Sequence, residues 1–408
     1  MYNRKNGKAP EKLSHLTDTD GFQAVSSGKG VTFLSSKPQN LENLYVRIKV
    51  LMKDELLKSN LDNERSKILK AIQNDVFKEG FSEDNQQVQS DHQFILSSQE
   101  IEWLLHQSEN LWIDYLIYRY RFKVYPRKKI LTSFPTHLLI EPTSVCNLRC
   151  IMCFLADKEF TKKEYMGYMQ WDLFLKIVEE VKHEKCRAVT LASRGEPTLH
   201  PKFGEMLLAL READVMDIKI NTNATKLTEE LCHNILEASV NEVVFSVDAG
   251  TKELYESIRV NGRFEDVVAN IEMFHEIRAK HYKNSQSVTR VTGVIIFEEQ
   301  DEHQITEFWR RYVDQVTIKR ATPRWDSYNN VPTEINIPCS VLWERMYIWF
   351  NGKVNPCDFD YKSNLCAGNA YSESLKKIWM GKTYTNLRKR HLEKERKVFV
   401  PCDRCTIH

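Results

Sequence analysis

Three cysteines stand in Cys146-Asn147-Leu148-Arg149-Cys150-Ile151-Met152-Cys153, with three residues and then two between them, directly after the apolar run Leu138-Leu139-Ile140. Thiolates at this spacing can hold three corners of a cubane [4Fe-4S] cluster and leave the fourth iron without a protein ligand. An iron with an open position is a place for chemistry. The alternative is structural zinc, which is also held by cysteines close in sequence; it needs a fourth ligand, and His137 is the nearest histidine upstream.

The Cys-x3-Cys-x2-Cys stretch resembles the signature of the radical S-adenosylmethionine (SAM) enzymes, and the aromatic Phe154 after its last cysteine fits the same pattern. In that family the amine and carboxylate of SAM chelate the free iron, an electron from the reduced cluster breaks a carbon-sulfur bond, and the adenosyl radical removes a hydrogen atom from substrate. The protein's share of such chemistry is cluster ligands, SAM orientation and a closed site. Ser193-Arg194-Gly195-Glu196-Pro197 resembles the family's Gly-Gly-Glu-Pro motif, which meets the SAM amino group; Arg194 replaces the first glycine, while Gly195 and Glu196 remain. Ser246 and Asp248 match a polar pair used near the ribose and the methionine carboxylate, and Arg259 occupies the place of an arginine that can grip that carboxylate with two parallel bonds. Outside this resemblance a Gly-Glu-Pro after a strand would be an ordinary turn, and Ser246 and Asp248 would be strand-end caps.

The last part of the chain resembles the shortened SPASM, or twitch, iron-sulfur domain. The resemblance implies that Cys339, Cys357, Cys402 and Cys405 hold an auxiliary [4Fe-4S] cluster, with Cys366 as the one substitute ligand. Four cysteines fill all four irons, which leaves electron transfer rather than substrate binding as the role. A zinc ribbon built on the same four is the alternative. Asn351-Gly352 between Ile348-Trp349-Phe350 and Lys353-Val354 marks a β-hairpin that would present Cys357 beside Cys339.

The totals agree with a cofactor enzyme. The chain has 408 residues, 42% hydrophobic and 28% charged, enough for two or three structural units. Its 58 basic and 56 acidic residues leave +2, no general attraction to nucleic acid, although residues 339–408 hold 13 Lys and Arg against 7 Asp and Glu. No run of eighteen apolar residues and no apolar core behind the polar N-terminus suggest a membrane span or signal peptide, so a cytoplasmic protein is expected. Ten cysteines in such a chain point to thiolate ligands in a reducing compartment rather than to disulfides. Cys186 and Cys232 read as small buried hydrophobes.

These residues need elements to position them. Short β-like runs over His137–Ile140, Ala188–Ala192, Ile218–Asn221, Val243–Val247, Arg290–Phe297 and Gln315–Lys319 alternate with helical patterns over Trp171–Lys182, Lys202–Glu212, Thr228–Glu237, Phe264–Lys280 and His303–Arg311. Repeated this way, strand and helix give a parallel sheet with right-handed crossovers. The fold the resemblance implies is α/β, a partial (β/α)6 radical SAM barrel. Active groups of parallel α/β folds gather at the carboxyl ends of the strands, and every motif above follows a strand.

Ahead of the barrel, Leu41, Leu44, Tyr45, Ile48, Leu51 and Met52 recur at helical spacing, and Ser97-x-x-Glu100 reads as a capping box opening a helix that continues through Trp112, Tyr115 and Leu116. Six basic and no acidic residues between Tyr118 and Lys129 read as a contact for a phosphate-bearing partner or as a solvated helix end. The expected organisation is a polar, flexible segment over 1–40, a helical extension over 41–133 packing on the barrel, the barrel over 134–322, and the SPASM/twitch unit over 323–408.

The family resemblance implies two [4Fe-4S] clusters, SAM, and a flavodoxin- or ferredoxin-type electron donor. Its twitch-domain members include aminocyclitol dehydrogenases, so the expected reaction is oxidation of a small polar metabolite: a sugar, an aminocyclitol or a nucleotide sugar. Arg320, Arg324, Trp325 and Asp326 are candidates for the substrate wall; no residue can be named as the base. A redox-neutral sugar epimerase and a peptide-modifying maturase are the other enzymatic readings. A zinc protein without catalysis is the reading from a different class.

Overall fold

The computed structural model describes residues 41–76, 93–321 and 327–406. The expected mobile segment over 1–40 and three of the substrate-wall candidates, Arg324, Trp325 and Asp326, lie outside the described residues.

Four helices come first: α1 (Leu41–Leu56), α2 (Asn63–Val76), α3 (Ser98–His106) and α4 (Trp112–Val124). In α1 the buried side chains Leu44, Ile48 and Met52 fall on one face, as their spacing requires. The capping box forms, Glu100 N donating to Ser97 Oγ and Ser97 N donating to the Glu100 carboxylate. The single helix expected beyond it is two, because α3 stops at His106 and a short 3-10 turn over Glu109–Leu111 leads into α4.

Half of the basic run is engaged within the N-terminal helices rather than solvated. Arg119 and Lys123 turn inward and pair with the buried Glu100 at 2.5 and 2.7 Å, while Arg121 pairs with Glu64 at 3.0 Å. Burial works against the charge on Glu100, yet Arg119 and Lys123 hold its carboxyl down to about 2. Burial also pulls the Lys123 ammonium down, so the permanent guanidinium of Arg119 is the stronger anchor.

The strand-helix alternation follows the expected order: β1 (His137–Ile140), β2 (Arg149–Cys150), α5 (Trp171–His183), β3 (Ala188–Leu191), α6 (Phe203–Glu212), β4 (Asp217–Thr222), α7 (Glu229–Glu237), β5 (Glu242–Ser246), α8 (Lys252–Ile258), β6 (Arg259–Val260), α9 (Phe264–His281), β7 (Val288–Ile295), α10 (Glu302–Trp309) and β8 (Gln315–Arg320). Strands β1, β3, β4, β5, β7 and β8 pair in parallel in that order. The short helix α8 and the antiparallel β2–β6 pair were not legible as periodic patterns.

Alternation along the strands divides the sheet. Leu138, Ile140, Val189, Leu191, Ile218, Ile220, Val243, Phe245 and Val291 join the helices in one hydrophobic core, which also takes Cys186 and Cys232. The other face carries a charged group: Lys219 and Arg290 pair with Glu242 at 3.0 and 2.8 Å.

The N-terminal helices cover the amino ends of these strands. Tyr118 Oη donates to Asp217 Oδ2 at 2.9 Å, and Gln99 donates to Gln315 at 3.4 Å, so the first residues of β4 and β8 are both held. Between helices and sheet lies a polar cavity of about 570 Å3 lined by Arg119, Asp217, Lys219, Glu242 and Asp314 among others.

The C-terminal segment adds β9 (Arg345–Ile348), β10 (Lys353–Asn355), β11 (Gly368–Asn369), α11 (Leu375–Trp379) and α12 (Lys382–Leu392). The expected hairpin is β9–β10, with its turn glycine at positive φ, Gly352 at 79°. Rather than standing apart, β9 pairs in parallel with β1, His137 opposite Arg345 through Ile140 opposite Ile348, and the sheet reaches nine strands. Helices α11 and α12 follow closely on each other, with Gly381 at the N-cap of the second.

Candidate functional site

Every expected SAM or first-cluster residue sits at or beyond the carboxyl ends of the parallel strands. Cys146 follows β1, Cys150 lies in β2, and Cys153 starts the short turn that carries Phe154. All three thiols are half-buried. Leu148 N and Asn223 Nδ2 donate to Cys146 Sγ at 3.4 and 3.8 Å, and Arg259 Nη1 donates to Cys150 Sγ at 3.8 Å. Donors aimed at sulfur suit thiolates that carry charge. Burial pushes Cys146 up to about 12 and Cys150 to about 11, so metal must displace protons when it binds.

Gly195 is there for space. A Cβ at that position would lie 2.3 Å from the Thr143 carbonyl oxygen and 2.6 Å from that of Val145, so only glycine lets the turn after β3 approach the loop before Cys146. Glu196 N donates to Val145 O at 2.9 Å and closes that approach. The buried Glu196 carboxylate accepts from Thr198 Oγ1 and Thr222 Oγ1 at 2.6 Å each and from Asn223 N at 2.7 Å, tying the turn to the end of β4.

Asp248 and Arg259 face each other, Arg259 Nη2 lying 2.6 Å from Asp248 Oδ2, while Asp248 Oδ1 accepts from Val294 N at 2.8 Å. Pairing of Cys150 with Arg259 in the β2–β6 ladder sets this arginine between the cysteine loop and β5. Ser246 ends β5, half-buried. Phe154 lies against Tyr361 of the C-terminal unit, ring centroids 4.9 Å apart.

Does this site fit SAM? Buried Ser193 Oγ, Asn221 Oδ1 and Arg259 Nε have no hydrogen-bond partner, although each stands at the end of a strand or beside the cysteine loop. A buried polar atom without a partner is costly, and these three, all at the carboxyl-end side of the sheet, suit a polar ligand that completes them. Ser193 and Asp248 also hold φ at 124° and 65°, conformations that non-glycine residues adopt at a cost of roughly 1–3 kcal/mol, typically where function demands it. Ser193 and Asn221 were visible in the sequence only as neighbours of the motif residues; their missing partners are a tertiary fact.

The second cysteine set converges. Cys339, Cys357, Cys402 and Cys405 line one pocket whose other walls include Leu342, Phe359, Leu387 and Pro401. Burial pushes the Cys357 and Cys402 thiols well up, each aggravated by the neighbouring thiols. Among the described residues no three His, Cys, Asp or Glu side chains meet closely enough for a single metal ion. Four thiols lining one pocket are a donor set that suits an iron-sulfur cluster. Cys366 is exposed, turns its Sγ toward Gly368 O at 3.3 Å, and is not part of the pocket lining.

Arg396, which the sequence gave no reason to select, organises the pocket. Buried, it donates to the carbonyls of Cys402 and Cys405 at 3.2 and 3.3 Å and to Ile337 O at 3.3 Å. His391 Nδ1 accepts from Cys339 N at 3.2 Å. Of the substrate-wall candidates, Arg320 is exposed at the end of β8.

Two parts of the chain match models of known families. Residues 140–308 match the model of the radical SAM superfamily, and residues 339–406 match the SPASM iron-sulfur cluster-binding domain. A tungsten-containing aldehyde ferredoxin oxidoreductase cofactor-modifying protein of Pyrococcus furiosus is 39% identical over 113 residues, 28% of this chain and 30% of that protein. The mycofactocin maturase MftC of Mycolicibacterium smegmatis is 25% identical over 228 residues, 54% of this chain and 52% of that protein. Matches to these curated relatives thus span about half of their length or less. Among solved structures, SuiB of Streptococcus suis superimposes with a TM-score of 0.51 at 18% identity, covering 81% of this chain and 84% of that one, a likeness of fold. No helix among the described residues is long and apolar enough to cross a membrane.

Proposed function

The chain carries a radical SAM domain joined to an iron-sulfur cluster-binding SPASM domain, and on that premise we propose that it oxidises a small polar metabolite of the sugar, aminocyclitol or nucleotide-sugar class. The observation that carries this reading is the convergence of four cysteines on one pocket. With Cys339, Cys357, Cys402 and Cys405 all turned to one cavity walled by apolar side chains, a second cluster would have no iron open to substrate and would serve as an electron acceptor. When bound, the cofactors would supply one-electron chemistry: cleavage of SAM, removal of a substrate hydrogen atom by its adenosyl fragment, and uptake of the remaining electron by the second cluster, as the substrate radical gives up a proton to a base.

The protein's own part is binding and orientation. Cys146, Cys150 and Cys153 would hold the first cluster. Gly195 and Glu196 would bring the turn after β3 against SAM, with Thr198 and Thr222 fixing the carboxylate of Glu196. Arg259 would meet the methionine carboxylate with donors that its contacts with Asp248 and Cys150 leave over, the unpartnered Nε among them. Ser246 and Asp248 would lie beside the ribose. Phe154 would wall the cluster loop. Electrons would come from a flavodoxin- or ferredoxin-type donor.

A second reading, modification of a peptide, draws support from the maturase MftC among the relatives. Against it, the described N-terminal helices are held at the amino ends of β4 and β8, opposite to the strand ends from which the cysteine loop springs.

Anaerobically prepared, reduced protein given SAM and panels of sugars, aminocyclitols, nucleotide sugars and peptides tests the proposal. The expected outcome is 5'-deoxyadenosine formed together with a small-molecule product two electrons more oxidised than its substrate. A product isomeric with its substrate would instead establish the epimerase, and a modified peptide the maturase.

A further inference from the structure

The one departure from the glycine-rich motif has a structural use. Arg194 is buried, and its guanidinium clasps the equally buried Glu141 with Nε and Nη2, each 2.6 Å from a different carboxylate oxygen. Its Nη1 donates across to the carbonyl of Tyr361 at 2.7 Å, four residues past Cys357. Its plane lies over the Trp349 ring at 4.1 Å and near Phe160 at 5.1 Å. Glu141 accepts in addition from Phe350 N at 3.2 Å, in the hairpin turn. The same C-terminal segment reaches the first cysteine loop: Tyr361 Oη donates to Asp157 Oδ2 at 2.8 Å, and Lys362 pairs with Asp157 at 2.6 Å.

We propose that Arg194 is a positioning residue that couples the C-terminal iron-sulfur unit to the turn that would carry SAM, so that SAM binding and the order of residues 360–366 are linked. A glycine here would leave Glu141 a buried, unpaired carboxylate. A lysine would bring one point charge where the site needs three donors in a plane, two for Glu141 and one for Tyr361. Buried ion pairs add little net stability over an apolar filling, whereas they fix one geometry well, and geometry is what a joint between two cofactor sites must supply. The inference rests on the SAM reading above but not on the identity of the substrate, and its test uses SAM alone.

Two measurements on anaerobic, cluster-loaded full-length protein decide it. In the wild type, SAM should slow amide exchange at Lys362, Asn364 and Leu365, whose N–H groups are held by Tyr328 Oη and the Asp360 carboxylate. In Arg194→Lys that protection should vanish, and the SAM dissociation constant, read from the SAM-induced change in the EPR spectrum of the reduced cluster, should rise at least tenfold. Glu141→Gln, which keeps the volume and the acceptor for Phe350 N, should reproduce the loss, and the double variant should be no worse than either single one. No SAM-induced protection in the wild type overturns the proposal without any variant. So does SAM affinity within twofold of wild type in the variants, even if their unfolding temperature falls, because that pattern belongs to a structural brace. A wrong substrate assignment leaves every one of these outcomes unchanged.

Discussion

The two cysteine sites use the same ligand and surround it differently. Around the first set, Asn223 and Arg259 aim donors at Cys146 and Cys150, while Cys146 and Cys153 also pack against Leu155, Phe160 and Tyr361. Around Cys339, Cys357, Cys402 and Cys405 the neighbours are Leu342, Phe359 and Leu387, and the polar work is done by the backbone carbonyls that Arg396 gathers. A site that must admit a zwitterionic cofactor needs donors and acceptors in reserve. A site that only passes electrons needs rigidity and a dry wall.

Breaking one site at a time gives the sharpest contrast. Cys150→Ala should abolish 5'-deoxyadenosine formation altogether, whereas Cys357→Ala should still cleave SAM at saturating concentration and lose only product oxidation. Iron per chain should fall from about eight toward about four in both. Equal loss of SAM cleavage in the two variants would erase the distinction drawn between the sites.

Gly195→Ala comes next. Its Cβ would press on the Thr143 and Val145 carbonyls, so the turn must shift. SAM cleavage should drop by at least about tenfold, with a stability loss of roughly 2–3 kcal/mol in chemical unfolding.

Arg396→Met sharpens the comparison from the other side. It leaves the carbonyls of Cys402, Cys405 and Ile337 without their shared donor, at a cost of about 1–3 kcal/mol. The EPR signal of the second cluster should broaden or disappear while that of the first stays.

Farther from both sites, Glu100 tests the N-terminal unit. Its folded value of about 2 lies below the ordinary 4.5, so its contribution is fully present above pH 4.5 and is lost as pH falls toward 2. At neutral pH the shift corresponds to about 3 kcal/mol as an upper figure. Glu100→Gln should lower the urea midpoint at pH 7 and differ progressively less from wild type as the pH is taken down through 4. The smallest effect belongs to Cys366→Ser: exposed and outside the pocket, it should leave iron content and both EPR signals unchanged.

Much of the fold could be read in advance because it rests on local pattern. The parallel strands and their main helices follow from apolar runs of the right length and from helical spacing, and their ends agree with the expectation to within about two residues. The N-terminal unit was less legible. Trp112 continues the apolar spacing begun at Ile101, so nothing local announced the break after His106, and the inward turn of Arg119 and Lys123 depends on Glu100, a neighbour across the fold.

The candidate site divides in the same way. Cys146, Cys150 and Cys153 could be named from their spacing in consecutive residues, and Gly195 and the second cysteine set from the family resemblance; the steric need for Gly195 is visible only in the fold. Glu141, Tyr361 and Arg396 could not be named, since each acts through a partner far along the chain: Glu141 through Arg194, Tyr361 through Asp157, Arg396 through the carbonyl of Ile337.

The amino-acid sequence by itself determined which atoms can bind iron and in what order strands and helices would present them, because ligand spacing and hydrophobic period are properties of neighbouring residues. Only the tertiary structure decided that β9 would lie beside β1 and that Arg194 would fill the place of a glycine by reaching into the C-terminal unit. Such pairings join segments distant along the chain, and they exist only once the backbone has closed and buried charges must find the partners that burial leaves within reach.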